Sequence, residues 1–279
     1  MKKIYIVILN YNGYEDTLIC LKSLSKLFAT GDQLYTIIVD NGSTDGSVEQ
    51  FKSQSANWRT NLKIDKIIEN QKNLGFAKGN NIGIKYALDK GADYVLLLNN
   101  DTKIIENFLP RLLNIDADIS SPVVKFREFP KSKNWMYDYG GVVNWSTGRT
   151  THLNKSSKPN PPVGEVDYVA GCCMLIRRNV FETIGLLDET YFIYFEDVDF
   201  CITAKKKGMR VVVDPASFIY HKLGGSMDRW SKRAIFYNLL GNFIFITKHL
   251  GWRRPTGYAY LAFLTLKIIK DRAINKFKI

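Results

Sequence analysis

Carboxylates recur in this chain where they can hold a cation or take a proton. Asp101 ends the run "YVLLLNND", Asp40 ends "LYTIIVD", and Glu196, Asp197 and Asp199 crowd into "YFEDVDFC". Hard oxygen ligands of this kind hold a divalent ion that keeps substrate phosphates as further ligands. Helix-dipole stabilisation of a first turn accounts for one of the three clustered acids, not for all of them. The flanking aromatics Tyr191, Phe192, Tyr194, Phe195 and Phe200 make a partly dehydrated setting in which one carboxylate could act as a general base. Taken singly, Asp101 also reads as an N-cap for a helix starting near Ile104, and His221, closing "SFIYH", as a structural or surface histidine.

Those residues need elements to bring them together. "IYIVILNYN" is a short, β-branched apolar run, and Leu18, Leu21, Leu24 and Leu27 follow at helical spacing. "LYTIIVDNGSTDGSVEQFKSQ" repeats the unit, with Ser43, Thr44 or Asp45 as the helix cap. "KIDKIIEN" supplies a third strand, "NLGFAKGNNIGIKYALDKG" a loop and helix, and "ADYVLLLNND" a fourth strand whose unbroken apolar run predicts burial on both faces. Strands alternating with helices predict an α/β fold with a Rossmann-like, mostly parallel sheet. Ligands of such sheets bind beyond the carboxyl ends of the strands, where "NYN", "DNGSTDGS" and "NND" all fall. Asn99, Asn100 and Asp101 are therefore expected on the rim of a crevice.

From about residue 120 the chain turns aromatic and turn-rich. "KSSKPNPP" is expected as a mobile loop beside the crevice, and "RVVVDPASFIYHK" as a strand ending at His221. Two further helices are expected, at about Asp228 to Leu250 and Thr256 to Phe277. Neither holds an apolar run of the ~18 residues a membrane span needs. Their basic, aromatic composition suits the surface of an anionic membrane, and packing on the core or against a second copy in a homodimer is the alternative.

Composition narrows the classes. With 39 Lys+Arg against 27 Asp+Glu the formal charge is +12, so anions are the expected partners. The lysines are scattered and no recognition motif accompanies them, which argues against nucleic acid. Cys20, Cys172, Cys173 and Cys201 lack zinc spacing and are expected as small buried residues of a reducing compartment. The N-terminal apolar run, Ile4 to Leu9, reads as a first strand rather than a secretion signal, and the protein as cytoplasmic. Gly75, Gly79 and Gly83 match neither the dinucleotide fingerprint nor a P-loop, and no Ser-His-Asp order is apparent.

In order along the chain, "VILNYNGYEDTLICLKSL", "IIVDNGSTDGS", "NLGFAKGNNIGI", "YVLLLNND" and "GCCMLIRRNVFETIGLLDETYFIYFEDVDFC" resemble the family 2 glycosyltransferases of the GT-A fold, especially bacterial rhamnosyltransferase-like members. The resemblance runs from residue 4 to about 250. It implies a nucleotide-sugar donor, a divalent cation (Mg or Mn) and inversion at the anomeric carbon. By matching positions, Asp40 would bind the nucleobase, with Asn10, Asn12, Asn41 and Lys78 around the nucleoside. Asp101 matches the last residue of the family's D-x-D metal motif, here Asn-Asn-Asp, so one carboxylate remains. His221 matches a histidine that completes the metal shell, and Asp197 the catalytic base. Glu196 and Asp199 are left to orient the acceptor or cap the helix. Where members often carry an arginine before an asparagine this chain has Gly241-Asn242, and no acceptor-phosphate role is carried there.

The implied organisation is a GT-A domain over 1–225, with a nucleotide-sugar half at 1–118 and an acceptor half at 119–225, and basic amphipathic helices at 226–279. The first donor is dTDP-rhamnose, with UDP-hexoses and UDP-N-acetylhexosamines as alternatives. The acceptor is a glycan or a polyprenyl-diphosphate-linked sugar, met at the inner membrane face. A non-catalytic nucleotide-sugar binder or scaffold is the rival that the Asn-Asn-Asp triplet allows and that Asp197 argues against.

Overall fold

Three βα steps open the chain. In the computed structural model, which describes residues 1–55, 63–126, 135–155, 164–222 and 231–276, β1 (Lys3–Asn10) leads into α1 (Tyr14–Ser23), β2 (Gln33–Asp40) into α2 (Ser47–Ser55), and β3 (Lys63–Glu69) into α3 (Phe76–Asp89). With β4 (Tyr94–Asn99) they form a parallel set in the order β3-β2-β1-β4. Helical crossovers are what permit parallel neighbours. Val7, Val39, Val95 and Leu97 join one buried cluster with Ile84 and Ala87 of α3, while Ile6, Ile8, Leu96 and Leu98 join another with Leu21 of α1. Both faces of β4 are thus covered, as its composition predicts. Helix α3 lies close on β1 because a Cβ at Gly83 would stand 2.5 Å from Val7.

Beyond β4 come β5 (Thr102–Ile104), α4 (Leu109–Asn114), β6 (Ile119–Phe126), the hairpin β7 (Met136–Asn144) and β8 (Arg149–Lys155), β9 (Gly164–Glu165), β10 (Cys173–Arg177), α5 (Arg178–Ile184), α6 (Glu196–Lys206) and β11 (Val211–His221). The sheet becomes mixed here. β10 reaches the sheet from a loop rather than a crossover helix and lies antiparallel to both β4 and β6, while β11 runs parallel to β6. The whole is an 11-stranded sheet.

Asp101 caps no helix. Thr102 to Ile104 instead pair antiparallel with the end of β11, Thr102 opposite His221, and α4 begins only at Leu109. Partners distant in sequence override the local signal. Of the three cap candidates for α2, Asp45 does the work, accepting the Ser47 N–H at 3.1 Å. All four cysteines are free and buried. Residues 156–163, holding most of the expected loop, lie outside the described residues.

Two helices complete the chain, α7 (Lys232–His249) and α8 (Arg254–Lys276). The expected boundary near residue 225 also lies outside the described residues, but α7 puts Phe245 and Ile246 into the core shared by β7, β10 and α6. Among the described residues, no helix is long and apolar enough to cross a membrane.

Candidate active site

Parallel register brings the strand ends together. Asn10 stands beside Asp40, and Leu9 beside Asn99, so β1, β2 and β4 release their polar residues at one edge. There the amide of Asn10 donates to Asp40 Oδ2 at 2.7 Å and to Ser43 Oγ at 3.1 Å, and its oxygen accepts from Thr17 Oγ1 at 2.7 Å. Asp40, 1% exposed, also accepts the N–H groups of Gly42 and Ser43. The Asn12 carboxamide accepts the Thr44 N–H at 2.7 Å, which ties the first two strand-end loops together. Asn100 joins the buried network through Thr17 Oγ1 at 3.0 Å. Asn10 and Asp40 therefore build the rim from beneath rather than line the cleft, and Asn12 lines a separate hollow with Asp16 and Asp45.

Asn41 spends its full hydrogen-bonding capacity on the neighbouring wall. Its oxygen accepts from Leu74 N–H and Asn70, and its nitrogen donates to Gly75 O and Asn73, all at 3.1 Å. Between this wall and the β1 and β4 ends lies a cleft of about 320 Å³, lined by Leu9, Tyr11, Asn73, Phe76, Asn99 and Asn100 and bounded by Phe192 and Arg233. Lys78 is not among its lining residues; its ammonium lies 3.2 Å from Glu189.

Several lining residues went unread in the sequence. Tyr11 sits inside "NYN" and Phe192 among the noted aromatics, so both had a signal. Arg233 had none, because it arrives with α7. Its guanidinium lies 5.6 Å from the Phe192 ring, which stacks on Tyr237 at 4.7 Å between centroids, so a cation is anchored at the cleft mouth.

The acidic turn enters from the other side. Phe192 O accepts the Phe76 N–H at 2.6 Å, fixing the turn to the start of α3. Tyr194 and Phe195 then adopt φ of 71° and 72°, a left-handed pair that is costly for aromatic residues and is held by the surrounding packing. Helix α6 begins directly after, with its acids in the first turn.

The three acids have separate fates. Asp197, half-buried, accepts the Gly171 N–H at 2.8 Å and the Val198 N–H at 2.8 Å. Burial pushes its carboxyl above the usual aspartate range, and the Gly171 N–H, His152 and the Val198 N–H restrain the rise. Glu196 is 5% exposed, and among the described residues its Oε2 has no hydrogen-bond partner. Burial first, and the Asp197 charge second, drive it well above the glutamate range. Of the pair, Glu196 is raised the further and holds a proton more tightly than Asp197.

Asp199 does not reach the cleft, contrary to an acceptor-orienting role. It is 2% exposed and is consumed by Tyr191 at 3.1 Å, Lys248 at 2.8 Å and His249 at 2.7 Å, which join α6 to the end of α7.

Asp101 Oδ1 lies 3.0 Å from His221 Nε2, with both side chains nearly buried. Burial alone would depress His221, yet neighbouring Cys172 and Asp101 raise it well above the usual imidazole value. The 3.0 Å separation is that of a hydrogen bond, and a carboxylate beside an imidazole would be the pair to hold a divalent cation in its place. Binding there would release the histidine proton. Among the described residues, no group of three or more His, Cys, Asp or Glu could hold a metal, so the remaining ligands would come from water and substrate.

The two acidic centres meet through Gly171 and Cys172. Gly171 donates to Asp197, and Cys172 O accepts the Asn99 N–H at 2.9 Å. A Cβ on Gly171 would lie 3.5 Å from Phe76 of the cleft lining. Neither Asp101 nor Asp197 is among the lining residues of the cleft; Asp101 follows its lining residues Asn99 and Asn100, and Asp197 is bonded to Gly171 beside Phe76.

Residues 5–185 match the family described as Glycosyl transferase family 2. The chain is 28% identical over 218 residues to the low-salt glycan biosynthesis hexosyltransferase Agl10 of Haloferax volcanii, covering 74% of this chain and 62% of that one. It is 26% identical over 271 residues to an N-acetylglucosaminyl-diphospho-decaprenol L-rhamnosyltransferase of Mycobacterium tuberculosis, covering 88% of this chain and 85% of that one. Among solved structures, GalNAc-T7 with UDP, GalNAc and Mn2+ aligns with a TM-score of 0.65 at 16% identity, over 88% of this chain and 48% of that one. That likeness is one of fold, the GT-A arrangement.

Proposed function

The chain belongs to glycosyl transferase family 2, and on that premise we propose that it moves a sugar, with inversion, from a nucleotide-sugar to a hydroxyl of a lipid-linked or surface-polysaccharide acceptor. What supports this reading is the cleft at the strand ends, with Asp101 just beyond its lining residues Asn99 and Asn100 and bonded to His221, and Asp197 held by Gly171 beside Phe76 of the lining.

Asp197 is the general base. Its two backbone N–H bonds fix the carboxylate, and its raised affinity for a proton makes it a better acceptor than an exposed aspartate. It takes the proton of the acceptor hydroxyl while that oxygen attacks the anomeric carbon from the face opposite the leaving diphosphate. Glu196, whose carboxyl is held well above the usual range by burial, stays out of the transfer. Asp101 and His221 would hold Mg or Mn, and a cation there supplies neutralisation of charge on the leaving diphosphate. Asn41 lines the nucleoside end of the cleft, Asn10, Asn12 and Asp40 brace the strand-end loops behind it, and Tyr11, Phe76 and Phe192 offer rings against which a base or sugar can lie.

The donor is dTDP-rhamnose, in line with the names of two relatives, a dTDP-rhamnosyl transferase of Shigella flexneri and the mycobacterial L-rhamnosyltransferase. The enzyme works at the inner face of a membrane. Residues 231–276 hold nine basic residues against one acid. Phe236, Leu240 and Phe243 of α7, and Phe263, Leu266 and Ile269 of α8, are exposed at helical spacing. A basic surface with apolar stripes suits an anionic bilayer.

A panel of nucleotide-sugars assayed for donor hydrolysis and thermal stabilisation tests the reading. The expected result is selective turnover of dTDP-rhamnose. Faster turnover of a UDP-hexose or UDP-N-acetylhexosamine would replace the donor, and binding without turnover of any would favour a non-catalytic role.

A further inference from the structure

A second, smaller cavity of about 190 Å³ lies where the β7–β8 hairpin meets the C-terminal helices. The fold builds it by docking the hairpin tip. Thr256 donates to Ser146 O, and a Cβ on Gly148 would stand 2.8 Å from Ile246, so the first residues of β8 are held against α7 and α8. Arg149 and Thr150 enter from β8, Asn238 and Asn242 from α7, and Tyr260 from α8.

Its chemistry is one-sided. A guanidinium, two carboxamides and two hydroxyls converge, and no carboxylate lines the space. Among the described residues Arg149 forms no ion pair, while Asn242, 6% exposed, donates only a long bond to Asn238 O at 3.4 Å. A guanidinium that faces no carboxylate, with carboxamide and hydroxyl groups able to donate beside it, suits an anion. At about 30 Å³ per water the cavity has room for about six, enough for phosphate groups and too little for a polyisoprenoid chain.

We infer that this cavity binds the phosphate or diphosphate of an amphiphilic acceptor, with Arg149 as its cation. Phe195, two residues before Asp197, forms one wall, so an anion held here places the attached sugar on the side of the base. Leu264 forms another wall and neighbours exposed Phe263 and Leu266, along which an apolar tail runs out of the cavity. The assignment rests on the transferase reading and adds to it the acceptor's chemical class.

The test is binding of farnesyl diphosphate by the full chain with UDP or dTDP and Mg present, so that the donor cleft is filled. Arg149→Ala is expected to weaken it at least about tenfold, Arg149→Lys to recover most of the loss, and Tyr260→Phe to weaken it less. Farnesol should bind poorly and be indifferent to Arg149, and inorganic diphosphate should bind more weakly than farnesyl diphosphate but with the same Arg149 dependence. Unchanged farnesyl diphosphate affinity in Arg149→Ala, or farnesol binding as tightly, overturns the assignment. Inorganic diphosphate binding as tightly as the lipid form would make this a free-phosphate site and overturn the acceptor role. Nucleotide affinity, measured on the same variants, should stay within about twofold; its absence in the unmodified chain would contradict the transferase reading and leave the Arg149 comparison intact.

Discussion

Asp197 accepts the Gly171 N–H at 2.8 Å, and Gly171 is followed by the residue whose carbonyl binds Asn99. This short bridge couples a helix N-terminus to a strand end about a hundred residues earlier in the chain. It ties the turn that holds Asp197 to the strand end that precedes Asp101.

Burial holds the Glu196 carboxyl well above the usual glutamate range, which makes the neutral amide its informative replacement. Glu196→Gln is expected to retain at least about a tenth of the transfer rate, with a folded thermal profile. The acid limb of kcat/KM reports Asp197, whose proton must be absent for attack. Burial raises that carboxyl, so activity falls as pH drops through a value above the ordinary aspartate pKa of about 3.9. A limb below pH 4 in a pH–rate profile would count against Asp197 as the base.

Asp101→Ala and His221→Ala should each weaken the Mn dependence of turnover by about tenfold or more, and chelation of divalent ions should remove turnover altogether. Titration of the apoprotein with Mn in each variant checks this. Undiminished turnover in chelator would end the cation role.

Far from the cleft, the carboxylate of Asp214 is buried on β11 and receives a two-pronged bond from Arg111, at 2.7 and 3.1 Å. Burial pushes its carboxyl up, but Arg111 and the Ala216 N–H outweigh that and hold it below the usual range. Because the folded value is depressed, the pair stabilises fully above about pH 4 and loses its contribution as pH falls through the folded value. Arg111→Ala should cost about 2 kcal/mol at neutral pH, less than a fully buried pair because Arg111 is half exposed. Urea unfolding at pH 7 and pH 3 should show the difference shrinking in acid.

The paired stripes on α7 and α8 give a direct membrane prediction. The Phe263→Asp, Leu266→Asp double variant should lose most of its co-sedimentation with phosphatidylglycerol vesicles, and rising salt should weaken the unmodified chain. Absence of vesicle binding together with a dimer in sedimentation equilibrium would assign the stripes to a second copy.

Much of the fold is legible because its signals are local. The βα steps, the doubly buried β4 and the helical spacing of the C-terminal pair all follow from periodicity. What escapes reading is what distant partners decide. Asp101 precedes a strand because β11 arrives to pair with it, and β10 turns the sheet antiparallel because no helix carries it across. In the site, Asp101 lies within hydrogen-bond distance of His221, and Asp197 is held by the Gly171 N–H. Asp199 does not reach the cleft, since Lys248 and His249, about fifty residues on, claim its charge. Arg233 and Arg149 reach their cavities only through tertiary docking.

The most direct test is Asp197→Asn, compared with the unmodified chain in donor binding and in single-turnover transfer. The expected result is donor affinity within about twofold and transfer slowed by at least about 10³-fold, within the range attributed to a positioned base. Transfer within about tenfold of the unmodified rate would show that another group removes the acceptor proton.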